Sequence, residues 1–165
     1  MMAYWRLLLV SEPGRDGAFT VVRSLVRHIH AKHSEVSLDL AYSSCRGSAP
    51  LDELVHEVTT RGGKVVDLRV ANAPQKADFL AVNKLLRLVR ERRPALVHAH
   101  SSKAGALVRL CAFIPRFPRV LYTPHAYYGM AHGRLQGTVV QSPGKRYRSH
   151  RADAKLFGRG AGLCS

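Results

Sequence analysis

The chain is poor in acidic residues and lacks a long apolar run. Both shortages limit the classes of protein to which it can belong. Its 165 residues include 11 Asp and Glu against 26 Lys and Arg, and the formal charge is +15 at pH 7. The early apolar run at 7–10 is far shorter than the roughly 20 residues that span a bilayer. Glu12 and Arg15 interrupt it before a secretory signal is complete. The sequence therefore predicts a cytoplasmic protein with one domain-sized core.

Cysteine is also scarce. Cys45, Cys111 and Cys164 are widely separated and odd in number. This pattern fits neither a disulfide framework nor a CxxC metal or redox site. We interpret Cys111 as a core residue of a helix.

The basic charge by itself suggests an anionic partner such as nucleic acid or a lipid surface. Residues 131–165, however, carry seven Lys and Arg against the single Asp153 and so supply a large share of the excess. No basic stripe interleaved with aromatic residues and no nucleic-acid motif accompanies it. We therefore predict no specific nucleic-acid partner.

Between residues 5 and 128, short apolar runs alternate with segments of helical periodicity. The predicted strands lie at 7–10, 36–42, 65–70, 96–99 and 120–122, and the predicted helices start near 16 and lie at 51–61, around 79–89 and at 103–113. This alternation is typical of a doubly wound, Rossmann-like α/β domain with a parallel sheet. After about residue 130 the periodicity is lost, so we predict a domain at 1–130 and a basic, Gly/Arg/Ser-rich, disordered tail at 131–165.

Two glycines, Gly14 and Gly17, lie in the loop after the first strand. Such a loop can bring backbone N–H groups and a helix amino terminus close to a phosphate. It contains neither GxGxxG nor a Walker lysine. A phosphate-binding loop and an ordinary tight turn therefore both remain open.

Histidines and hydroxyls follow two later strands. His98 and His100 share a strand face by the period-2 rule, and His125 follows the fifth predicted strand, which a proline interrupts. The three histidines allow a metal site, a structural role or hydrogen bonds to a ligand, and the lack of a carboxylate disfavours the metal. Ser101, Ser102 and Lys103 open the next helix, as caps or as an anion contact.

These segments together resemble the amino-terminal half of a GT-B glycosyltransferase of family 4. The resemblance rests on the strand at 7–10 with its glycine loop, on HAHSSKAG at 98–105 and on TPHAYYGM at 123–130. It covers about residues 5–130. Enzymes of this type have two Rossmann-like domains across a cleft and transfer a sugar from a nucleotide-sugar donor, with retention of configuration.

The resemblance also implies roles for individual residues. Gly14 and Gly17 match the loop near the donor diphosphate, and His125 matches a catalytic-site histidine that contacts the donor sugar. His100, Ser101 and Lys103 match the region of acceptor or sugar contacts. The implied acceptor is a glycan or a lipid-linked molecule, as in polysaccharide biosynthesis. No bound metal ion or other cofactor is implied, in agreement with the lack of a DxD motif.

The resemblance implies a second, donor-binding domain that these residues do not supply. The composition of 131–165 looks like translation of a GC-rich gene in a shifted frame. We therefore expect a truncated chain that is inactive alone. The alternatives are an acceptor-side subunit with a separate donor-domain chain, a fragment of a GT-B sugar-nucleotide epimerase, and a non-catalytic anion-binding α/β module. The basic surface is compatible with peripheral association at the inner membrane face.

Overall fold

Five strands alternate with four α-helices in the part of the chain that the structure, a computed structural model, describes: residues 5–12, 17–46, 48–71 and 74–125. In chain order they are β1 (Trp5–Ser11), α1 (Gly17–Lys32), β2 (Val36–Tyr42), α2 (Ala49–Thr60), β3 (Val65–Asp67), α3 (Ala77–Arg92), β4 (Leu96–His100), α4 (Ser102–Ala112) and β5 (Arg119–Thr123). All neighbouring strands are parallel, in the order β3-β2-β1-β4-β5. The predicted Rossmann-like fold with a parallel sheet is confirmed.

β1 is the buried centre of this sheet. Leu8, Leu9 and Val10 are at most 1% exposed, although successive side chains of a strand point to opposite faces. Both faces of β1 are therefore covered by helices, which explains why the run at 7–10 is continuously apolar rather than alternating.

The helices form a layer on each face of the sheet. One core unites α1 and α2 with residues of β1 and β2, among them Leu9, Phe19, Val26, Leu40 and Leu54. The other unites α3 and α4 with the opposite face, among them Leu8, Leu85, Val97, Leu107 and Cys111. Cys111 is fully buried, which confirms its predicted place in the core of a helix.

The order of the strands reverses beside β1. The chain builds β1, β2 and β3 in one direction, and α3 then carries it back so that β4 and β5 add on the other side of β1. The helices that follow β1 and β4 consequently leave toward opposite faces. A crevice opens where this happens, at the carboxyl ends of the two strands. Ser11 and His100 end these strands and so lie at the crevice.

Most predicted bounds agree with the structure, but the strand predicted at 65–70 is too long. β3 ends at Asp67. The hydroxyl of Ser43 donates to the carbonyl of Val70 at 2.7 Å and accepts from its N–H at 3.0 Å, so these groups are satisfied without strand pairing. Arg69 has a φ of 53°, in the left-handed region that a strand does not use.

The helix predicted around 79–89 is α3, but Phe79 lies outside its buried stripe, with a side chain that is 76% exposed. The helix instead buries Ala81, Leu85 and Leu88, which follow one stripe at spacings of four and three. Residues two apart on a helix lie nearly opposite each other, so Phe79 faces away from that stripe. The predicted tail at 131–165 lies outside the described residues.

A buried ion pair holds the carboxyl end of α3 to β2. Asp39 is 0% exposed, and its carboxylate accepts hydrogen bonds from the Arg92 guanidinium at 2.9–3.1 Å and from the backbone N–H of Lys64 at 2.8 Å. Arg6 lies 3.8 Å from the same carboxylate and donates to the carbonyl of Arg92 at 2.8 Å. The group therefore joins β1, β2, α3 and the residue that precedes β3.

We predict that Arg92→Met lowers the free energy of unfolding by about 3 kcal/mol, because it leaves a buried carboxylate without its main cation. Arg87→Met is the matched control: Arg87 pairs with Glu91 on the same helix, but its side chain is 83% exposed, so its loss costs less than about 0.5 kcal/mol. Urea unfolding of both variants measures the difference. Equal stability of the two variants would contradict the anchoring role of Arg92.

Candidate functional site

Polar side chains from β1, β4 and β5 form a row on one face of the sheet. Ser11 is the register partner of His100, and His100 is the register partner of Thr123. His98 lies two residues before His100 and so shares its face, as predicted. His125 lies two residues beyond the end of β5. The row therefore crosses three strands at the carboxyl edge of the sheet.

The three histidines of this row form a stack. The ring centroids of His98 and His100 are 3.9 Å apart, and those of His100 and His125 are 5.3 Å apart with an interplanar angle of 24°. Nδ1 of His100 and Nε2 of His125 are hydrogen-bonded at 3.1 Å, and Nε2 of His98 is hydrogen-bonded to Oγ1 of Thr123 at 2.9 Å. His125 is thus held in place by a side chain of β4.

Burial keeps His98 and His100 uncharged at neutral pH. Burial, with the neighbouring charges of His98 and His125, lowers the pKa of His100 to about 4. Burial and the charge of His125 also lower the pKa of His98. A neutral imidazole both donates and accepts one hydrogen bond, whereas an imidazolium only donates. His98 and His100 can therefore each donate one hydrogen bond and accept another within the row.

The histidines differ in their access to solvent. His100 is 1% exposed, whereas His125 is partly exposed. The Nε2 atom of His100 and the Oγ atom of Ser11 are buried and have no hydrogen-bond partner among the described residues. His100 accordingly lies on the buried side of His125 and holds it by a hydrogen bond. The resemblance implies that His100 itself contacts the acceptor or the sugar, and this stays a prediction.

Ser101 caps the helix that follows β4. Its φ is 87°, and its side-chain oxygen accepts a hydrogen bond from the backbone N–H of Ala104 at 3.3 Å. This bond satisfies one of the amino-terminal donors of α4. The capping interpretation is confirmed, and the sugar contact that the resemblance implies for Ser101 stays a prediction.

Lys103 is paired with a carboxylate that the sequence analysis missed. Its Nζ atom donates to Oδ2 of Asp78 at 2.6 Å, and the Lys103 side chain is 9% exposed. Burial alone raises the pKa of Asp78, but hydrogen bonds from Lys103 and from the Gln75 backbone, with the Lys103 charge, lower it overall. The positive charge of Lys103 is therefore balanced inside the protein. The only signal in the sequence was an acidic residue in the first turn of α3, which is common at helix starts.

The glycine loop is only partly visible. Gly14 lies outside the described residues. Gly17 is the first residue of α1, and a Cβ atom built on it would contact no described residue within 4 Å. No other described residue therefore crowds Gly17, and no acidic residue lies in the first turn of α1. The amino terminus of this helix is compatible with an anion.

Gly105 lets α4 approach β5 closely. A Cβ atom at this position would lie 2.5 Å and 2.8 Å from two ring carbons of Tyr122. The guanidinium carbon of Arg109 lies 4.6 Å from the centroid of the same ring, a cation–π contact that fixes it on α4. The glycine of the HAHSSKAG segment therefore has a packing role.

Neither a metal centre nor a membrane span is found in the described ranges. No group of three or more His, Cys, Asp or Glu side chains between residues 5 and 125, the gaps aside, is arranged to hold a metal ion. In the same part of the chain, no helix is long and apolar enough to cross a membrane.

Comparison with protein families assigns the chain to a family. The model of the glycosyl transferase 4-like domain matches residues 16–164, nearly the whole chain. The chain belongs to the glycosyl transferase 4-like family. No curated protein matches it. The match includes residues 131–164, so it does not stop where the composition changes. The frame-shift interpretation of that segment stays a prediction, which the nucleotide sequence tests.

For this glycosyl transferase 4-like domain, we predict a loss of stability in mild acid that depends on His100. The unfolded chain binds a proton at this residue near pH 6.5, whereas the folded chain does so only near pH 4. Neutral His100 therefore contributes fully to the free energy of unfolding above pH 6.5. This contribution, about 3 kcal/mol, is lost as the pH falls toward 4. Urea unfolding between pH 7.5 and 4.5 should show a weaker pH dependence for His100→Gln than for the wild type. His56→Gln, on the exposed side of α2, is the control, and an unchanged slope in His100→Gln contradicts the assignment.

We also predict that Gly105→Ala destabilises the domain by about 1 kcal/mol. Crowding of Tyr122 costs on the order of 1–3 kcal/mol, and the better helix propensity of alanine returns only about 1 kcal/mol. In a Tyr122→Leu background the crowding is relieved, so Gly105→Ala should be neutral or stabilising there. A double-mutant cycle measures this coupling, and additive effects would show that the close contact is unimportant.

Proposed function

We propose that the domain forms the acceptor-side wall of a glycosyl-transfer site. The reaction would move a sugar from a nucleotide-sugar donor to a glycan or lipid-linked acceptor, with retention of configuration. The observation that carries the proposal is the hydrogen-bonded stack of His100 and His125 at the carboxyl ends of β4 and β5. Membership of the glycosyl transferase 4-like family supports it.

His125 is the residue that meets the donor sugar in this proposal. Its Nε2 atom is engaged by Nδ1 of His100, so Nδ1 of His125 is the atom left for a ligand. His100 is the positioning residue, because its burial prevents a direct contact.

The buried Nε2 atom of His100 determines which ring donates in the hydrogen bond between His100 and His125. Nε2 of His100 is buried without a partner among the described residues, and a buried N–H without an acceptor is more costly than a lone pair without a donor. We therefore assign the lone pair to that atom and the proton to Nδ1 of His100, which donates to Nε2 of His125. His125 then carries its own proton on Nδ1 and donates to an oxygen of the sugar.

The start of α1 would face the diphosphate. Backbone N–H groups and the helix dipole at an amino terminus attract phosphate oxygens, and a Cβ-free Gly17 leaves room for them. Lys103 is a weaker candidate for this role, because Asp78 already balances its charge.

The proposal is tested by titrating the ¹⁵N-histidine-labelled chain with uridine, guanosine and adenosine diphosphate sugars. At pH 7.5 the His125 ring should show the Nδ1–H tautomer, and one nucleotide sugar should shift its signals with saturation. His125→Ala should weaken binding about tenfold, the value of one lost hydrogen bond of roughly 1.4 kcal/mol. His56→Gln should leave binding unchanged.

Two results would overturn the proposal. One is the absence of any saturable shift at His125 with every nucleotide sugar. The other is an equal shift with inorganic diphosphate together with affinity that falls steeply as salt rises. That second pattern would support a general anion-binding module instead.

A further inference from the structure

A cavity of about 690 Å³ lies at the opposite edge of the sheet from the histidines. It is formed by the last turns of α3 and by the loop at 114–118 between α4 and β5. Both segments lead into the amino ends of strands, since Pro94 precedes β4 and Pro118 precedes β5. The cavity is therefore separate from the candidate glycosyl-transfer site.

One wall of the cavity is apolar. Leu86 and Val89 on α3 and Ile114 and Phe117 in the loop line it. Leu86, Val89 and Phe117 also pack against the core of the α3 and α4 layer. The wall is thus supported from behind, and a volume of this size is typical of sites for small ligands.

The rim of the cavity is cationic. Arg90, Arg93 and Arg116 line it. Val89, Arg90 and Arg93 follow Leu86 by three, four and seven positions. The four residues therefore lie on one face of α3 and of the residue that follows it. Charge and apolar surface therefore occur side by side.

Within the described residues these arginines have no carboxylate partner, unlike two other arginines of α3. Arg92 pairs with Asp39 and Arg87 pairs with Glu91. Arg90, Arg93 and Arg116 make no ion pair within residues 74–125 or the other described ranges. Arg93 and Arg116 also have φ values of 49° and 63°, in the left-handed region where glycine is the usual residue. Three uncompensated guanidiniums beside an apolar wall form a surface complementary to an anion on an apolar body.

We infer that this cavity binds an anionic amphiphile, a phosphate or carboxylate group carried on an alkyl chain. The guanidiniums take the anionic group, Arg90 and Arg116 from the two sides, and the alkyl chain lies on Leu86, Val89 and Ile114. The inference does not depend on the proposed sugar transfer, because no residue is shared between the two sites.

Calorimetric titration of the full chain with monomeric dodecyl phosphate, below its critical micelle concentration, tests the inference. Saturable one-to-one binding is expected. Arg90→Gln/Arg116→Gln should weaken it at least tenfold, and Ile114→Ser should weaken it severalfold. Arg27→Gln/Arg87→Gln removes the same charge from ion-paired surface positions and should leave the affinity unchanged. Thermal unfolding of each variant confirms that it is folded.

Further titrations identify which part of the ligand provides the affinity and whether the ligand is a free molecule or a membrane lipid. Inorganic phosphate and a neutral dodecyl tetraethylene glycol ether should each bind at least tenfold more weakly than dodecyl phosphate. The chain could instead bind phosphatidylglycerol vesicles but not monomeric dodecyl phosphate. If Arg90→Gln/Arg116→Gln abolished that vesicle binding, the source of the ligand would be a membrane lipid. Equal loss in both double variants, or equal binding of inorganic phosphate and dodecyl phosphate, would overturn the inference.

Discussion

The buried carboxylate of Asp39 fixes the one crossover on which the topology depends. α3 returns the chain from β3 to the far side of β1, and Asp39 holds Arg92 at the end of that helix. Arg6 of β1 binds the carbonyl of Arg92 and its own carbonyl accepts from the N–H of Ala95. β4 begins one residue later, so its register on β1 is set from this point. His98 and His100 lie on β4, so the same ion pair also determines their position relative to β1.

The two ends of the sheet differ in electrostatic character. At the carboxyl ends, burial removes charge from imidazoles, and Asp78 balances Lys103. At the amino ends of β4 and β5, Arg90, Arg93 and Arg116 lie beside an apolar wall and make no ion pair with the other described residues. Net charge alone does not reveal this division, because it sums over both ends. A neutral hydrogen-bonding surface suits hydroxyl-rich ligands, whereas a cationic and apolar surface suits a different chemical class.

Local patterns in the sequence predicted the fold well and the site only in part. The apolar run at 7–10 and the helical stripe of Phe19, Val22 and Val26 follow from rules that act within a few residues. The shared face of His98 and His100 follows from strand periodicity in the same way. The partners of Asp39 and Lys103 did not follow, because Arg92 and Asp78 are distant in sequence and only tertiary packing brings them together. The shortness of β3 was missed because the Ser43 hydroxyl replaces its ladder bonds, a local competition that apolar patterning does not report.

The central pairing of the sheet has a consequence for how the chain assembles during synthesis. β1 is made first, yet one of its two edges pairs with β4, and Leu7 meets Leu96 there. Until β4 has left the ribosome, that edge of the most apolar strand has no native partner. Pairing between such distant segments is slow because the intervening loop must close first. The nascent domain therefore passes through a stage with an open, aggregation-prone edge, which lasts from the completion of β3 until the arrival of β4.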